Sequence, residues 1–244
     1  MNTLSQNVKI SSNRTGLQDI WNAQMLIGAQ YSSHDFPLCP TTATEVPKAL
    51  ISYSEAKTLH NKEMKLGHTT YHYDAFIHFY IDDQKFDGKR SSIWLYPDKA
   101  LEIIKHFSGI VAPDFSTNSD FPDPIKRINF YKMNSFGYWI GSLGIPVISN
   151  VRWGTEETWD YCFDSNPHNS MIAIGTVASR IHQLKNRPLF ENGLFYMVEL
   201  LQPHTIITYG SSNYGCFDLL RQAGIRIVSF PSQTSQAFAR RKRS

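Results

Sequence analysis

The sequence predicts an α/β protein whose mostly parallel sheet is flanked by helices and is either barrel-like or open. Six short apolar runs are rich in β-branched and aromatic residues, and each is separated from the next by a plausible helix. The runs start 21 to 37 residues apart, the length of one βα unit. Continuous apolar strands indicate burial on both faces, as in parallel sheets. Six repeats fall short of a closed eight-stranded barrel, although an N-terminal extension could complete or plug one.

The predicted elements follow from these runs. The strands are expected at residues 76–81, 109–112, 146–151, 171–176, 205–209 and 226–230. The helices are expected at 97–107, 124–143, 156–163, 191–201 and 216–223. Gly144 and Gly224 directly follow two of these helices, which is where a C-terminal glycine cap is expected.

The chain divides by composition into three parts. Residues 1–70 are rich in Ser, Thr, Asn and Gln and form an irregular N-terminal extension, with possible helices at 16–27 and 54–65. Three prolines within 36–47 exclude long regular structure there. Residues 71–235 form the α/β domain, and 236–244 form a basic tail.

Charge and composition exclude several classes of protein. The 24 basic and 21 acidic residues give a net charge of +3. Four cations lie in the tail, Arg240, Arg241, Lys242 and Arg243, so the body is close to neutral and does not predict a DNA-binding surface. A hydrophobic content of 41% with no membrane-length apolar run predicts a soluble, cytoplasmic protein that does not bind a membrane.

Known catalytic and metal-binding motifs are missing. Three cysteines without a C-x-x-C pair fit neither a disulfide scaffold nor a zinc site. The sequence contains no G-x-S-x-G and no H-E-x-x-H. The reaction, if there is one, therefore has to be sought from the position of side chains in the fold.

Two aspartates at neighbouring strand ends are the first candidates. Asp82 follows the first predicted strand and Asp114 the second, and ligands bind at the carboxyl ends of parallel strands. Such a pair can hold a divalent metal ion or divide acid and base roles. Alternation directs the neighbouring Asp83 away from the side of Asp82. The alternative is that each aspartate caps the next turn.

Further candidates for ligand binding follow the later strands. Arg152 could bind a phosphate and Trp153 could stack on a base, or Trp153 could be a core residue and Arg152 could pair with Glu156 or Glu157. The YGSSNYG stretch that begins at Tyr209 and Gly210 favours a tight turn more than a phosphate loop, because it lacks the G-x-G-x-x-G and Walker patterns.

Five motifs in order resemble one family. They are HFYIDDQKFDG (78–88), APDFS (112–116), NFYKMNSFGYW (129–139), GIPVISNVRW (144–153) and ITYGS (207–211), and together they resemble the domain of unknown function 4417 family. The resemblance implies a phage or mobile-element origin and no assigned activity. It singles out Asp82, Asp114, Ser116, Trp153, Tyr209 and Gly210.

Two functions are therefore expected. The first is an enzyme acting on a nucleotide or nucleic acid, with Asp82 and Asp114 as catalytic or metal-binding residues. Ser116, Arg152, Trp153, Tyr209 and Gly210 would bind the substrate, and the basic tail would contact nucleic acid. The second is a non-catalytic protein that binds a host partner, as a replication accessory or an inhibitor of a host defence system.

Overall fold

A computed structural model describes residues 19–236 of the chain. Its strands are β1 (Leu50–Ser52), β2 (Tyr73–His78), β3 (Phe107–Val111), β4 (Val147–Asn150), β5 (Met171–Gly175), β6 (Thr205–Tyr209) and β7 (Arg226–Phe230). Its α-helices are α1 (Tyr53–Lys65), α2 (Pro97–Ile104), α3 (Asp123–Ser142), α4 (Trp159–Cys162), α5 (Arg187–Leu201) and α6 (Gly215–Gln222). Residues 1–18 and 237–244, which include the tail cations, lie outside the described part. Of the possible helix at 16–27, the described residues 19–27 form only a short 3₁₀ helix, Ala23–Leu26.

All seven strands are parallel and lie in chain order, β1-β2-β3-β4-β5-β6-β7. The sheet curls into a half-barrel, which confirms the predicted α/β class. Each of the six predicted strands is present, and β1 is an additional one. β1 and α1 belong to the sheet and its helix layer although they lie within residues 1–70. Carboxyl ends of all seven strands therefore meet at one edge of the half-barrel.

Local sequence signals explain where the helices start and stop. Ser52 and Glu55 form a reciprocal capping box at the start of α1, the helix expected at 54–65. Proline occupies the first turn of α2, α3 and α5, where its missing N–H costs nothing. Gly144 and Gly224 have φ of +81° and +88°, so both act as the predicted glycine caps. The helix expected at 156–163 is instead a 3₁₀ turn, Glu156–Thr158, followed by the single turn of α4.

Two clusters of buried side chains hold the sheet. The larger cluster lies between the strands and the helices and includes Ile77, Ile110, Ile172 and Ile206. A smaller one fills the concave face with alternate residues of the same strands, Phe76, Val111, Ile148, Met171, Ala173 and Ile207. Burial on both faces is why these strands read as continuous apolar runs.

Residues 41–43 of the N-terminal extension lie between the first residues of β4 and β5. The Thr41 hydroxyl donates to the Met171 carbonyl at 2.7 Å and accepts from the Ser149 amide at 3.0 Å. The Thr42 amide donates to the Val147 carbonyl at 2.8 Å, and its hydroxyl accepts from the Val147 amide. The pairing of β4 with β5 consequently begins only at Ser149 and Ile172. The extension thus fills a gap in the sheet at the edge opposite to the strand carboxyl ends.

Within residues 19–236, no helix is long and apolar enough to cross a membrane.

Candidate functional site

A cavity of about 490 Å³ opens at the carboxyl ends of the central strands. Its walls come from the loops after β2, β3, β4 and β5, from the end of β6 and from the start of α5. Six of the seven predicted site residues line it: Asp82, Asp114, Ser116, Arg152, Trp153 and Tyr209. The volume is in the range of pockets that hold small molecules. These six residues therefore come together at the strand ends, as expected, whereas Gly210 does not line the cavity.

A largely buried ion pair joins the loops after β3 and β4. Arg152 Nη1 donates to Asp114 Oδ2 at 2.7 Å, and these side chains are 19% and 12% exposed. Arg152 Nε donates to the Thr117 hydroxyl at 2.9 Å. Burial lowers the pKa of Arg152, but the charge and the hydrogen bond of Asp114 outweigh it and the pKa is raised. Arg152 is therefore a permanent cation in the wall, paired with Asp114 and with neither Glu156 nor Glu157.

Asn150 extends this pair towards β2. Its side-chain amide donates to Asp114 Oδ1 at 3.0 Å and to the Pro113 carbonyl at 3.1 Å. Its oxygen accepts from the Tyr80 hydroxyl at 2.8 Å. Asn150 and Arg152 reach the same side because side chains alternate along an extended strand. A continuous hydrogen-bonded chain thus runs from Tyr80 through Asn150 and Asp114 to Arg152.

Tyr80, like Asn150, belongs to this hydrogen-bonded series but was not among the candidate residues of the sequence analysis. Its ring stacks on Tyr209 at 5.1 Å with an interplanar angle of 10°. A Cβ on Gly175 would lie 3.0 Å from the Tyr80 ring, so the glycine makes room for it. Burial, and then the nearby Asp114 charge, raise the pKa of Tyr80, which keeps the hydroxyl protonated as a donor.

The Pro-Asp-Phe-Ser motif is held from both sides. Phe115 is buried and packs edge-on against Phe86 at 5.1 Å. Asp83 accepts hydrogen bonds from the Ser116 amide at 3.1 Å and from its hydroxyl at 2.9 Å. Burial raises the pKa of Asp83, the bonds from Ser116 oppose this, and the Asp114 charge adds to it. Asp83 therefore caps the turn at Ser116, and the Ser116 hydroxyl already donates its proton to Asp83.

Trp153 forms an aromatic wall of the cavity against α5. Its ring lies 5.1 Å from that of Phe190, and a Cβ on Gly193 would come within 2.2 Å of its Cδ1. The glycine of α5 thus lets the five-membered ring of the indole come close to the helix backbone. One side of the indole is packed as in a core residue, and the rest lines the cavity.

Tyr209 and Gly210 have supporting positions at the end of β6. The Tyr209 hydroxyl accepts from the Gln233 amide at 3.2 Å, and its ring lies 4.2 Å from that of His78. The amide of Gly210 donates to the Phe230 carbonyl at 2.8 Å. Gly210 has φ +113°, and a Cβ there would lie 2.4 Å from the Thr176 hydroxyl oxygen. The backbone therefore requires glycine at this turn, whereas the predicted substrate contact of Gly210 stays a prediction.

The predicted metal site does not fit the side chains that are present. Both carboxylate oxygens of Asp114 already accept hydrogen bonds, from Asn150 and Arg152. Asp82 is exposed, and across residues 19–236 no group of three or more His, Cys, Asp or Glu side chains is arranged to hold a metal ion. A divalent ion needs several free oxygen ligands. The lining is better suited to binding a ligand through hydrogen bonds and aromatic contacts.

The comparisons with known proteins agree with the motifs. The model of a family described as a domain of unknown function (DUF4417) matches residues 32–230. The chain belongs to the DUF4417 family. No solved structure matches the chain significantly.

Two phage proteins are similar to this member of the DUF4417 family. The Gene 1 protein of Mycobacterium phage D29 is 28% identical over 209 residues, which cover 85% of this chain and 71% of that protein. The Gene 1 protein of Mycobacterium phage L5 is 31% identical over 143 residues, which cover 59% of this chain and 60% of that protein. The chain thus matches about 60% of the length of the L5 protein.

Proposed function

We propose that this protein is a phage or mobile-element α/β enzyme that acts on a nucleotide held in the strand-end cavity. One observation carries the proposal: Arg152, which lines the cavity, has two of its three nitrogens occupied by Asp114 and Thr117, and Nη2 makes no hydrogen bond to any residue within 19–236. A guanidinium donor that is open to the cavity beside aromatic walls suits a ligand with an acidic or carbonyl oxygen and a flat apolar part.

In this proposal each side chain of the cavity has a separate role. Arg152 binds a phosphate or carbonyl oxygen of the ligand, and Asp114 and Thr117 hold its guanidinium plane in place. Trp153 provides a face against which a base can stack. Asp82 is the acid or base, because its exposed carboxylate lines the cavity and bonds to no other side chain among residues 19–236.

The size of the cavity limits how a nucleic acid could be bound. About 490 Å³ accommodates one nucleotide and excludes a duplex. A strand would have to present a single unstacked nucleotide, while Arg240, Arg241, Lys242 and Arg243 contacted phosphates outside the cavity. In this proposal a nucleotide lies next to Arg152 whether it is free or part of a strand.

Isothermal titration calorimetry with nucleosides and nucleotides of all four common bases tests this proposal. In Arg152→Lys the charge beside Asp114 remains but the planar donor fork is lost, so we expect affinity to fall about ten-fold or more at nearly unchanged stability. Lys105→Met is the matched control, since Lys105 is exposed and precedes β3, at the opposite end of the sheet. The proposal is wrong if no compound binds the wild type, or if both variants bind like it.

The second candidate function is binding of a host partner, which the rim of the cavity favours. Val177 and Leu189 line the cavity and are 46% and 44% exposed, and Leu184, five residues before Leu189 in the chain, is 75% exposed. Exposed apolar side chains that cluster at one place are typical of interaction surfaces. A stoichiometric host protein that co-purifies with the wild type and with Asp114→Asn, but not with Leu184→Asp, would favour this function over the enzyme.

A further inference from the structure

We infer that a phosphate group of the ligand binds on the segment 117–119, so that the strand-end cavity selects nucleotides over nucleosides. The inference rests on the proposed function and names the part of the ligand that the protein recognises. The 117–119 segment directly follows the Pro-Asp-Phe-Ser motif. Three observations carry the inference: backbone amides without an acceptor, a guanidinium fixed beside them, and a buried cation without an ion pair.

The backbone amides of the 117–119 segment have no acceptor. All three residues line the cavity, and their N–H groups donate no hydrogen bond to any residue within 19–236. The amide just before them, that of Ser116, is in contrast bound by Asp83. Successive backbone amides that are free to donate are a common binding site for an anion.

The carbonyls of this loop show which way the amides point. The Ser116 carbonyl accepts from the Asn129 side chain of α3, and the Asn118 carbonyl accepts from the Phe121 amide at 3.0 Å. Across a planar trans peptide, the N–H of the next residue points opposite to the C=O. The amides that follow these two carbonyls therefore point away from Asn129 and Phe121. They are left on the side of the loop that does not face α3.

The guanidinium of Arg152 is fixed beside the first of these amides. Arg152 Nε donates to the Thr117 hydroxyl at 2.9 Å, and this hydroxyl belongs to the same residue as the first free amide. Asp114 accepts from Nη1, and Nη2 has no partner within residues 19–236. A phosphate presents oxygens in several directions, so a single group can accept from both Nη2 and the Thr117 amide.

A buried cation lies behind the same segment. Lys126 is 9% exposed, and its ammonium group donates to the Ser119 carbonyl at 3.1 Å. Lys126 forms no ion pair with a carboxylate in the described part of the chain, whereas Asp114 compensates the charge of Arg152. A buried charge without a counter-ion is costly, and an anion on the amide side of the segment would offset that cost. The charge of Lys126 therefore favours a phosphate over an uncharged oxygen of the ligand.

Another wall of the cavity is the alternative position for the phosphate. The amides of residues 177–179, in the turn after β5, also lack an acceptor within 19–236, and Arg180 follows them. Arg180 is exposed, so its charge is solvated and needs no ligand to compensate it. The buried charge of Lys126 is what favours the 117–119 segment.

The first test is a titration of the wild type with the nucleoside and the monophosphate of each common base, without divalent ions. We expect each monophosphate to bind about ten-fold or more tightly than its nucleoside, because only the monophosphate brings a charged acceptor to the amides and Arg152. Nucleosides that bind as tightly as their monophosphates overturn the inference and leave the proposed function intact. If no nucleoside and no nucleotide binds, the proposed function and this inference both fail.

The second test compares two variants that each remove one cation. Lys126→Gln keeps a donor for the Ser119 carbonyl but loses the buried charge, so the affinity of the monophosphate should fall about three- to ten-fold relative to that of the nucleoside. Arg180→Gln is the matched control and should change this ratio less than about two-fold, because the charge it removes is exposed. An unchanged ratio in Lys126→Gln, or an equal or larger fall in Arg180→Gln, overturns the inference.

Discussion

Replacing Asp114 with Asn breaks the buried pair on which the wall of the cavity depends. The change removes the charge that Arg152 contacts at 2.7 Å, between side chains that are 12% and 19% exposed. Removing one partner of a buried ion pair costs about 3–5 kcal/mol, because the other charge stays buried without compensation. The Asn oxygen can still accept from Arg152, and the cavity admits water, so we expect a loss of about 2–3 kcal/mol.

Urea unfolding of four proteins measures this loss: the wild type, Asp114→Asn, Arg152→Met and the double variant. Because each single change leaves a partner without its opposite charge, the double variant should lose about 1–3 kcal/mol less than the sum of the two. Asp74→Asn is the control, since it breaks an exposed pair with Lys48 and should leave the unfolding midpoint unchanged. Additive losses, or an Asp114→Asn variant as stable as Asp74→Asn, would refute the reasoning.

Two further predictions concern the packing around the cavity and its pH dependence. Gly193→Ala places a Cβ 2.2 Å from Trp153, so the free energy of unfolding in urea should fall by about 1 kcal/mol net of the gain in helix propensity. Gly141→Ala is the control and should not destabilise the protein, because the nearest contact of its Cβ is 3.4 Å away. Equal losses in the two variants would contradict this prediction. Burial lowers the pKa of His78 to about 4, so the unfolded chain takes up the proton first as the pH falls below about 6.5. Stability is then lost between pH 6.5 and 4, and His78→Gln should reduce the difference between pH 7 and 4.5 by about 2 kcal/mol; a variant with the wild-type pH dependence would contradict the assignment.

The strands β3 to β6 were predictable because each of them buries both faces and therefore appears as an apolar run. The edge strand β7 is only partly buried and was recognised from its β-branched and aromatic residues. β1 was missed, since Leu50–Ser52 is only three residues long and is stabilised by pairing with β2, a contact that no local pattern contains. The boundary predicted at residue 70 follows composition, which contains no information on the pairing of β1 with β2. Residues 41–43 likewise occupy a gap between β4 and β5 that exists only in the folded sheet.

The site was predictable in location but not in its contacts. Parallel strands bring Asp114 and Arg152 to one edge, and this places six predicted residues around the cavity. Asp114, Glu156 and Glu157 were all possible partners of Arg152 in the sequence. The pairing with Asp114 depends on the positions of the loops after β3 and β4, which the sequence does not contain. Tyr80 was not predicted as a site residue because the strand was expected to continue to residue 81, which would have placed Tyr80 inside it. β2 ends at His78, and the chain then turns Tyr80 onto Tyr209.

The most direct test of the central claim is a crystal structure of the full chain with a nucleoside monophosphate at a concentration that saturates binding in calorimetry. The account predicts ligand density in the strand-end cavity, with one oxygen within hydrogen-bonding distance of Arg152 Nη2 and the base against Trp153. Ligand bound elsewhere on the protein, or an empty cavity at saturation, would contradict it.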